Sequence, residues 1–210
     1  MLDDPWIKAN SPMEPESIHA LGVISVHWNI CTTSLFLLFV QIIRLDVSVA
    51  KALVHEMSEA ALADRIKDLL EVRPKLIFTP DGLGIQRDAE TEIRHCLNVF
   101  DANRINRNTL HHYLPAMGRD GMEFWSTKGP EFKPKPIPNS LADLRRVSDE
   151  IRELSVYMGA LGYFVLWLRG GPPPPAPLPD KPRIPKRLWV RPQTGLPQRS
   201  GERSSNKPRT

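Results

Sequence analysis

The 210-residue chain is short of the residues that carry most recognisable chemistry. It has two cysteines, Cys31 and Cys96, both inside apolar helical patterns with no second ligand nearby. That excludes a disulfide framework and a thiolate metal site, and leaves two small buried hydrophobes suited to a reducing compartment. There is no Gly-rich phosphate loop, no metal-ligand cluster and no Ser/His/Asp set, so neither a metal nor a cofactor is expected. No segment alternates apolar and polar residues well enough to read as a strand, and no internal repeat is visible. The N-terminus, MLDDPWIKANSPMEPES, is acidic and proline-bearing. It lacks the basic-then-apolar order of a secretory signal, and the expected location is the cytoplasm.

Positive charge is also missing from most of the chain. The formal net charge is +4, yet residues 171–210 hold nine Lys/Arg against two Asp/Glu. Residues 1–170 therefore carry 19 basic against 22 acidic groups. The alkaline balance belongs to the tail and gives no argument that the body binds nucleic acid.

What is present is apolar residues at spacings of three and four, at 41% of the chain enough for one core. A first helix is predicted from about Ser17, as N-cap, to Leu45, with Leu21, Ile24, Trp28, Cys31, Leu35, Leu38, Ile42 and Leu45 in one stripe. Its 21 uncharged residues from Val23 to Ile43 approach a membrane span. The polar groups within that run, His27, Asn29, Thr32, Thr33, Ser34 and Gln41, favour a buried helix instead. A second helix is predicted over Val47–Val72 with Ala50, Leu53, Met57, Ala61, Ile66 and Leu69 or Leu70 inward. A third runs from near Asp88 to a stop before Pro115, carrying Ile93, Cys96, Leu97, Phe100, Ile105 and Leu110. Between the second and third, Thr79-Pro-Asp-Gly82 marks a loop. The stretch Met117–Asn139 reads as irregular with room for a short extended pair. Ser140 and Asp143 form a capping box for a last helix that ends at Gly170-Gly171. Its half Leu154–Leu168 is apolar all round, and with Leu35–Val40 it suggests a homodimer. After Gly171 come eleven prolines, so no packed core is expected there. The resulting division is a disordered N-terminus over 1–16, a helical domain over 17–170 and a Pro-rich basic disordered tail over 171–210. Within the tail, Pro182-Arg-Ile-Pro185-Lys-Arg187 matches a P-x-x-P-x-R peptide ligand.

One stretch concentrates chemistry. Arg104-Ile-Asn-Arg107-Asn108-Thr-Leu-His111-His112-Tyr113 closes the third helix with two arginines and two histidines. Some of this is ordinary, since cationic residues near a helix C-terminus complement its dipole. The spacing adds more: Asn108 and His112 are i, i+4 neighbours, and Arg107 adjoins them. A histidine that titrates near neutrality, a permanently charged guanidinium and an orienting amide suffice for metal-free RNA cleavage. Arg104, His111 and Tyr113 are candidate accessory groups. The other histidines, His19, His27, His55 and His95, stand alone in the sequence.

A long first helix opening with Leu21-Gly22 and Trp28, a second amphipathic helix, and a third ending in R-N-x-x-x-H resemble the HEPN (higher eukaryote and prokaryote nucleotide-binding) superfamily over roughly residues 17–169. The resemblance implies an all-α, four-helix bundle whose homodimer brings two motifs together. It further implies a ribonuclease using Arg107 and His112, with Asn108 as the polar residue after the arginine. RNA as the substrate, toxin or defence biology, and an antitoxin or other protein partner are implied by the same resemblance. Many relatives carry a glutamate soon after the tryptophan, whereas Trp28 is followed by Asn29, Ile30, Cys31 and Thr32. His112 gives the family spacing and His111 falls one short. The alternatives are a non-catalytic interaction module and, less favoured, a membrane protein.

Overall fold

The computed structural model describes residues 5, 14–72, 89–118, 121–126 and 140–188, with 111–118 and 121–126 as backbone only. Five helices form the packed body among these residues: α1 Pro15–Ile43, α2 Val47–Val54, α3 Glu59–Val72, α4 Ala89–His112 and α5 Leu141–Trp167. A two-stranded antiparallel hairpin, β1 Tyr113–Gly118 with β2 Gly121–Ser126, leaves the end of α4. The helical body expected from the spacing is present. A short extended pair had room from Met117 onward; the hairpin differs in starting earlier, at Tyr113, directly after α4. Residues 1–4, 6–13, the 79–82 turn, 127–139 and 189–210 lie outside the described residues.

Local chemistry explains the boundaries. Helix α1 starts two residues before Ser17, because Pro15 sits in its first turn, where the missing N–H costs nothing. It stops at Arg44, which adopts a left-handed φ of 58° and sends its N–H to the Val40 carbonyl at 3.0 Å. Asp46 caps α2 by accepting from the Ser48 N–H at 2.8 Å. The single second helix expected over Val47–Val72 is broken at His55–Ser58. Ser58 starts α3, its Oγ accepting from the Ala61 N–H at 3.2 Å. The break resets the helical phase, so Leu53 is 58% exposed and the buried face becomes Leu62, Ala63, Ile66 and Leu70. Ser140 caps α5 as expected, accepting from the Asp143 N–H at 3.1 Å. The helix ends in a turn where Gly170 takes φ +84° and Gly171 lies against Leu166; a Cβ on Gly171 would meet the Leu166 side chain at 2.7 Å.

The His27 ring meets Ser148, and Arg169 donates to the Gln41 carbonyl. These contacts pair like ends of α1 and α5, so the two longest helices run parallel. Lys67–Asp101 and Arg94–Glu71 pair opposite ends of α3 and α4, which run antiparallel. A chain of four alternating helices would set its first and last antiparallel, so the short α2 and its turns redirect the path. The core gathers Ile24, Trp28, Cys31, Leu35 and Leu38 of α1 against Ile66 and Leu70 of α3, Ile93, Leu97 and Phe100 of α4, and Leu144, Ile151, Met158 and Val165 of α5. Both cysteines are free and buried, and burial pushes their thiols well above the ordinary range. They pack as hydrophobes, as their sequence setting indicates. Leu35, Leu38, Phe39 and Val40, together with Leu154, Leu161 and Val165, are covered within one chain, leaving Leu37, Val156 and Tyr163 exposed. The apolar girth that suggested a dimer is therefore mostly hidden by the monomer. Helix α1 is, among the described residues, the one helix long and apolar enough to cross a membrane.

The tail supplies the largest departure. Residues 181–188, part of a tract expected to pack against nothing, lie along α4. Lys181 pairs with Glu92 at 2.8 Å, His95 Nε2 donates to the Pro182 carbonyl at 2.8 Å, and Asn106 Nδ2 donates to the Lys186 carbonyl at 3.0 Å. The Leu188 N–H returns to Asn106 Oδ1 at 3.0 Å, so one amide clasps the strap on both sides. Pro182, Pro185 and Leu188 are buried while the residues between them are exposed. That period of three is the period of polyproline II, which turns one edge in three towards a surface.

This architecture makes two predictions. Trp28 is 1% exposed and central to the core, so Trp28→Ala is expected to cost about 3–5 kcal/mol in urea unfolding. A loss under about 1 kcal/mol, the middle of the range for ordinary substitutions, would contradict that placement. The strap should also respond to acid. Burial works to raise the Glu92 carboxyl, but hydrogen bonds from Lys181 and Tyr157 outweigh it and hold the group below the ordinary glutamate range. A carboxyl lowered by folding stabilises above its unfolded pKa and loses that contribution as pH falls through the folded one. Acidification through and below the ordinary glutamate range should therefore loosen the strap. The Leu188 amide resonance should move towards its free-chain position in the wild type, and much less steeply with pH in Glu92→Gln. An amide that ignores acid in both proteins would show that the Glu92 anchor contributes nothing.

Candidate functional site

The site is built on the second half of α4. Its inner face changes from apolar to polar: after Leu97 and Phe100 come Asn103 and Asn106, both fully buried. Asn106 is satisfied by the strap. Asn103 has neither side-chain atom hydrogen-bonded among the described residues, and Arg107 Nε, one turn further on, is likewise buried without a partner there. Such atoms are costly to bury and rare in folded proteins. Three such atoms fall at Asn103 and Arg107, neighbours at i, i+4 on one face of α4, and another is Glu150 Oε2 on α5.

Arg107 is held by two contacts. Its guanidinium lies over the Trp28 ring, 5.6 Å from the centroid, and Nη1 donates to Asn108 Oδ1 at 3.0 Å. Trp28 is itself fixed by stacking on Phe100 at 5.0 Å and by its Nε1–H donating to Glu59 Oε1 at 3.0 Å. A cation over a tryptophan contributes about 0.5–2 kcal/mol, and the aromatic pair about 0.5–1.5 kcal/mol beyond its buried area. These contacts fix the plane of the guanidinium without consuming its whole edge. Glu59 reaches the indole from the start of α3.

Arg104 is engaged elsewhere, at 3.4 Å from Asp101, whose other oxygen accepts from Lys67 at 2.8 Å. It belongs to the α3–α4 ion-pair network. Helix α4 continues through His111 and His112, so Arg107, Asn108 and His112 share one helix, and Tyr113 opens β1. Pro115 falls inside β1, opposite Phe124. A proline is tolerated in a two-stranded hairpin because each strand has an edge that needs no donor. The side chains of His111, His112 and Tyr113 lie outside the described residues. The structure thus brings Arg107 and Asn108 together and separates Arg104 from them.

A second concave region escaped the sequence reading. A cavity of about 760 Å³ lies between the first half of α1 and the first half of α5, lined by His19, His27, Arg145, Ser148, Asp149 and Arg152 among others. His27 Nδ1 lies 3.1 Å from the Ser148 carbonyl and 3.0 Å from its Oγ. A carbonyl only accepts, so Nδ1 carries the proton in that contact. The legible signal was His19, Val23 and His27 at i, i+4 and i+8; the α5 half of the lining had none. His55 accounts for itself by reaching the Ala52 carbonyl at 3.1 Å. Among the described residues no group of His, Cys, Asp and Glu is arranged to hold a metal ion. Compared with known protein families, with curated proteins and with solved structures, the chain matches none of them.

Proposed function

We propose that the chain is a metal-independent endoribonuclease of HEPN type, with α1, α3, α4 and α5 as the four bundle helices and α2 an addition. The observation that carries this reading is the guanidinium of Arg107, fixed on the Trp28 face and bridged to Asn108, on the helix that runs on to His112. In the proposed reaction the RNA 2′-oxygen bonds to the adjacent phosphorus while the bond from phosphorus to the 5′-oxygen breaks. His112 takes the 2′-hydroxyl proton, and a proton is returned to the departing 5′-oxygen. Arg107 stabilises the charge that gathers on the non-bridging oxygens, and its fixed plane avoids reorganisation as that charge develops. Asn108 orients Arg107. Arg104, His111 and Tyr113 remain accessory positions, with Arg104 placed in the Asp101 network. The protein acts in the cytoplasm as a homodimer with facing motifs, regulated by an antitoxin or a similar protein partner.

A second reading has its own support. Arg107 lies over a core tryptophan, a placement that also serves a purely structural contact in a non-catalytic interaction module. Cleavage separates the two. Wild-type protein incubated with total RNA and EDTA should cut it, whereas Arg107→Ala and His112→Ala should slow cleavage by about 10²–10⁴-fold. Their helical circular dichroism should match that of the wild type. An intact wild type that leaves RNA uncut, or a folded His112→Ala that cuts as well as the wild type, would overturn the ribonuclease assignment.

A further inference from the structure

The strap has a property that neither its composition nor the motif explains. It converts a Pro-rich basic tract into a surface of fixed charge. From Glu92 to Asn106 along α4 is 14 residues, about 21 Å at the helical rise. From Lys181 to Leu188 is seven residues, about 22 Å at the polyproline II rise. The two anchors therefore match in length, and the strap runs parallel to α4, towards Arg107. With Pro182, Pro185 and Leu188 turned inward, Arg183 and Lys186 share a second edge of the threefold strand, and Arg187 stands beside them. All three are exposed, and among the described residues none has an ion-pair partner.

The carboxylates beneath them are already engaged. Glu90 pairs with Arg94 at 2.8 Å, Glu92 with Lys181, and Asp101 with Lys67 and Arg104. Asp180 precedes the buried triad. The strap thus overlays a helix side whose acids are neutralised with three cations that have no ion-pair partner among the described residues. A body with more acidic than basic groups acquires a positive rib on the helix that bears Arg107.

We propose that the docked strap is a binding site for single-stranded RNA, with Arg183, Lys186 and Arg187 gripping the phosphate backbone and leading it towards Arg107. The direction towards Arg107 rests on the ribonuclease reading; the binding surface rests on the strap. Asn106 is its positioning residue, because its amide holds the strap backbone on both sides while its own side chain is buried. Holding the cations in place before RNA arrives spares the ordering cost that a free tail would meet on binding.

The test uses the full chain and a fluorescent single-stranded 2′-O-methyl oligoribonucleotide, which lacks the attacking hydroxyl and stays intact. Arg183→Gln/Lys186→Gln/Arg187→Gln should bind it roughly tenfold more weakly at low salt. Its salt dependence should be shallower by about two units of log K per log salt, as expected for three lost single-strand contacts. Asn106→Ala keeps every charge but frees the strap, and should also bind several-fold more weakly, with the Leu188 amide resonance reporting release. Leu188→Asp releases the strap from its other side and guards against a local effect of Asn106→Ala on Arg107. Unchanged affinity in the triple variant would overturn the site. Equal affinity in wild type and both release variants would reduce the strap to a mobile charged tail and overturn the rib. Binding to vesicles of anionic phospholipid with none to the oligonucleotide would overturn RNA as the ligand. If the strap binds RNA as described while the wild type cuts none, the ribonuclease assignment fails and the binding site stands. If the wild type cuts RNA but strap variants bind normally, the reverse holds.

Discussion

Most of the molecule's organisation depends on the contact set of one indole. Trp28 sits midway along α1, stacks on Phe100 of α4, donates to Glu59 at the start of α3 and lies under Arg107. Three helices and the motif are therefore tied to a single ring. The ring joins the core by stacking, its N–H needs an acceptor, and its π-system accepts a cation. No smaller aromatic satisfies all three, since phenylalanine has no donor and a tyrosine hydroxyl projects from the opposite end of the ring. The same residue that closes the core thus sets the plane of the guanidinium.

That arrangement constrains α4 to be apolar and then polar along one face. Ile93, Cys96, Leu97 and Phe100 pack as core, whereas Asn103 and Asn106 are buried amides. A buried amide is tolerable when its hydrogen bonds are made, and Asn106 makes them with backbone that comes from outside the bundle. The strap is therefore part of the fold's polar accounting. Remove it and a fully buried amide loses both partners, which costs more than the loss of a surface contact. This explains how a tract unable to form a core of its own can be held in place: α4 supplies the groove and the polar partners, and the prolines restrict the free chain before docking.

Much of the fold was legible in the sequence. The stripe Ile24–Trp28–Cys31–Leu35–Leu38 is buried as its spacing indicates, and the apolar half of α5 buries Leu154, Met158, Leu161 and Val165. Ser140 caps where its pairing with Asp143 indicates. The elements that escaped have physical causes. The break at His55–Ser58 contains no proline or glycine, so its signal was only a serine able to cap α3. The hairpin at Tyr113–Ser126 begins where Pro115 stops a helix, and a proline marks that end without specifying the element beyond it. The strap was illegible because polyproline composition specifies a conformation but not the surface that receives it. Arg107 and Asn108 are singled out by their spacing in sequence. The Trp28 and Glu59 contacts that orient them come from other helices and have no local signature.

The distribution of charge, read along the chain, separates an acidic body from a basic tail. Folding partly undoes that separation. Lys181 is used against Glu92, which leaves the cations two to six residues later without a paired carboxylate among the described residues. On a free tail those charges would be diluted over a large volume and screened beyond roughly 8 Å at physiological salt. Clamped by Asn106, the neighbour of Arg107 in sequence, they act at short range from fixed positions. Docking rather than composition therefore decides whether the basic tract is a free tail or a surface held on α4. The side chain that makes that decision is an uncharged amide buried in α4.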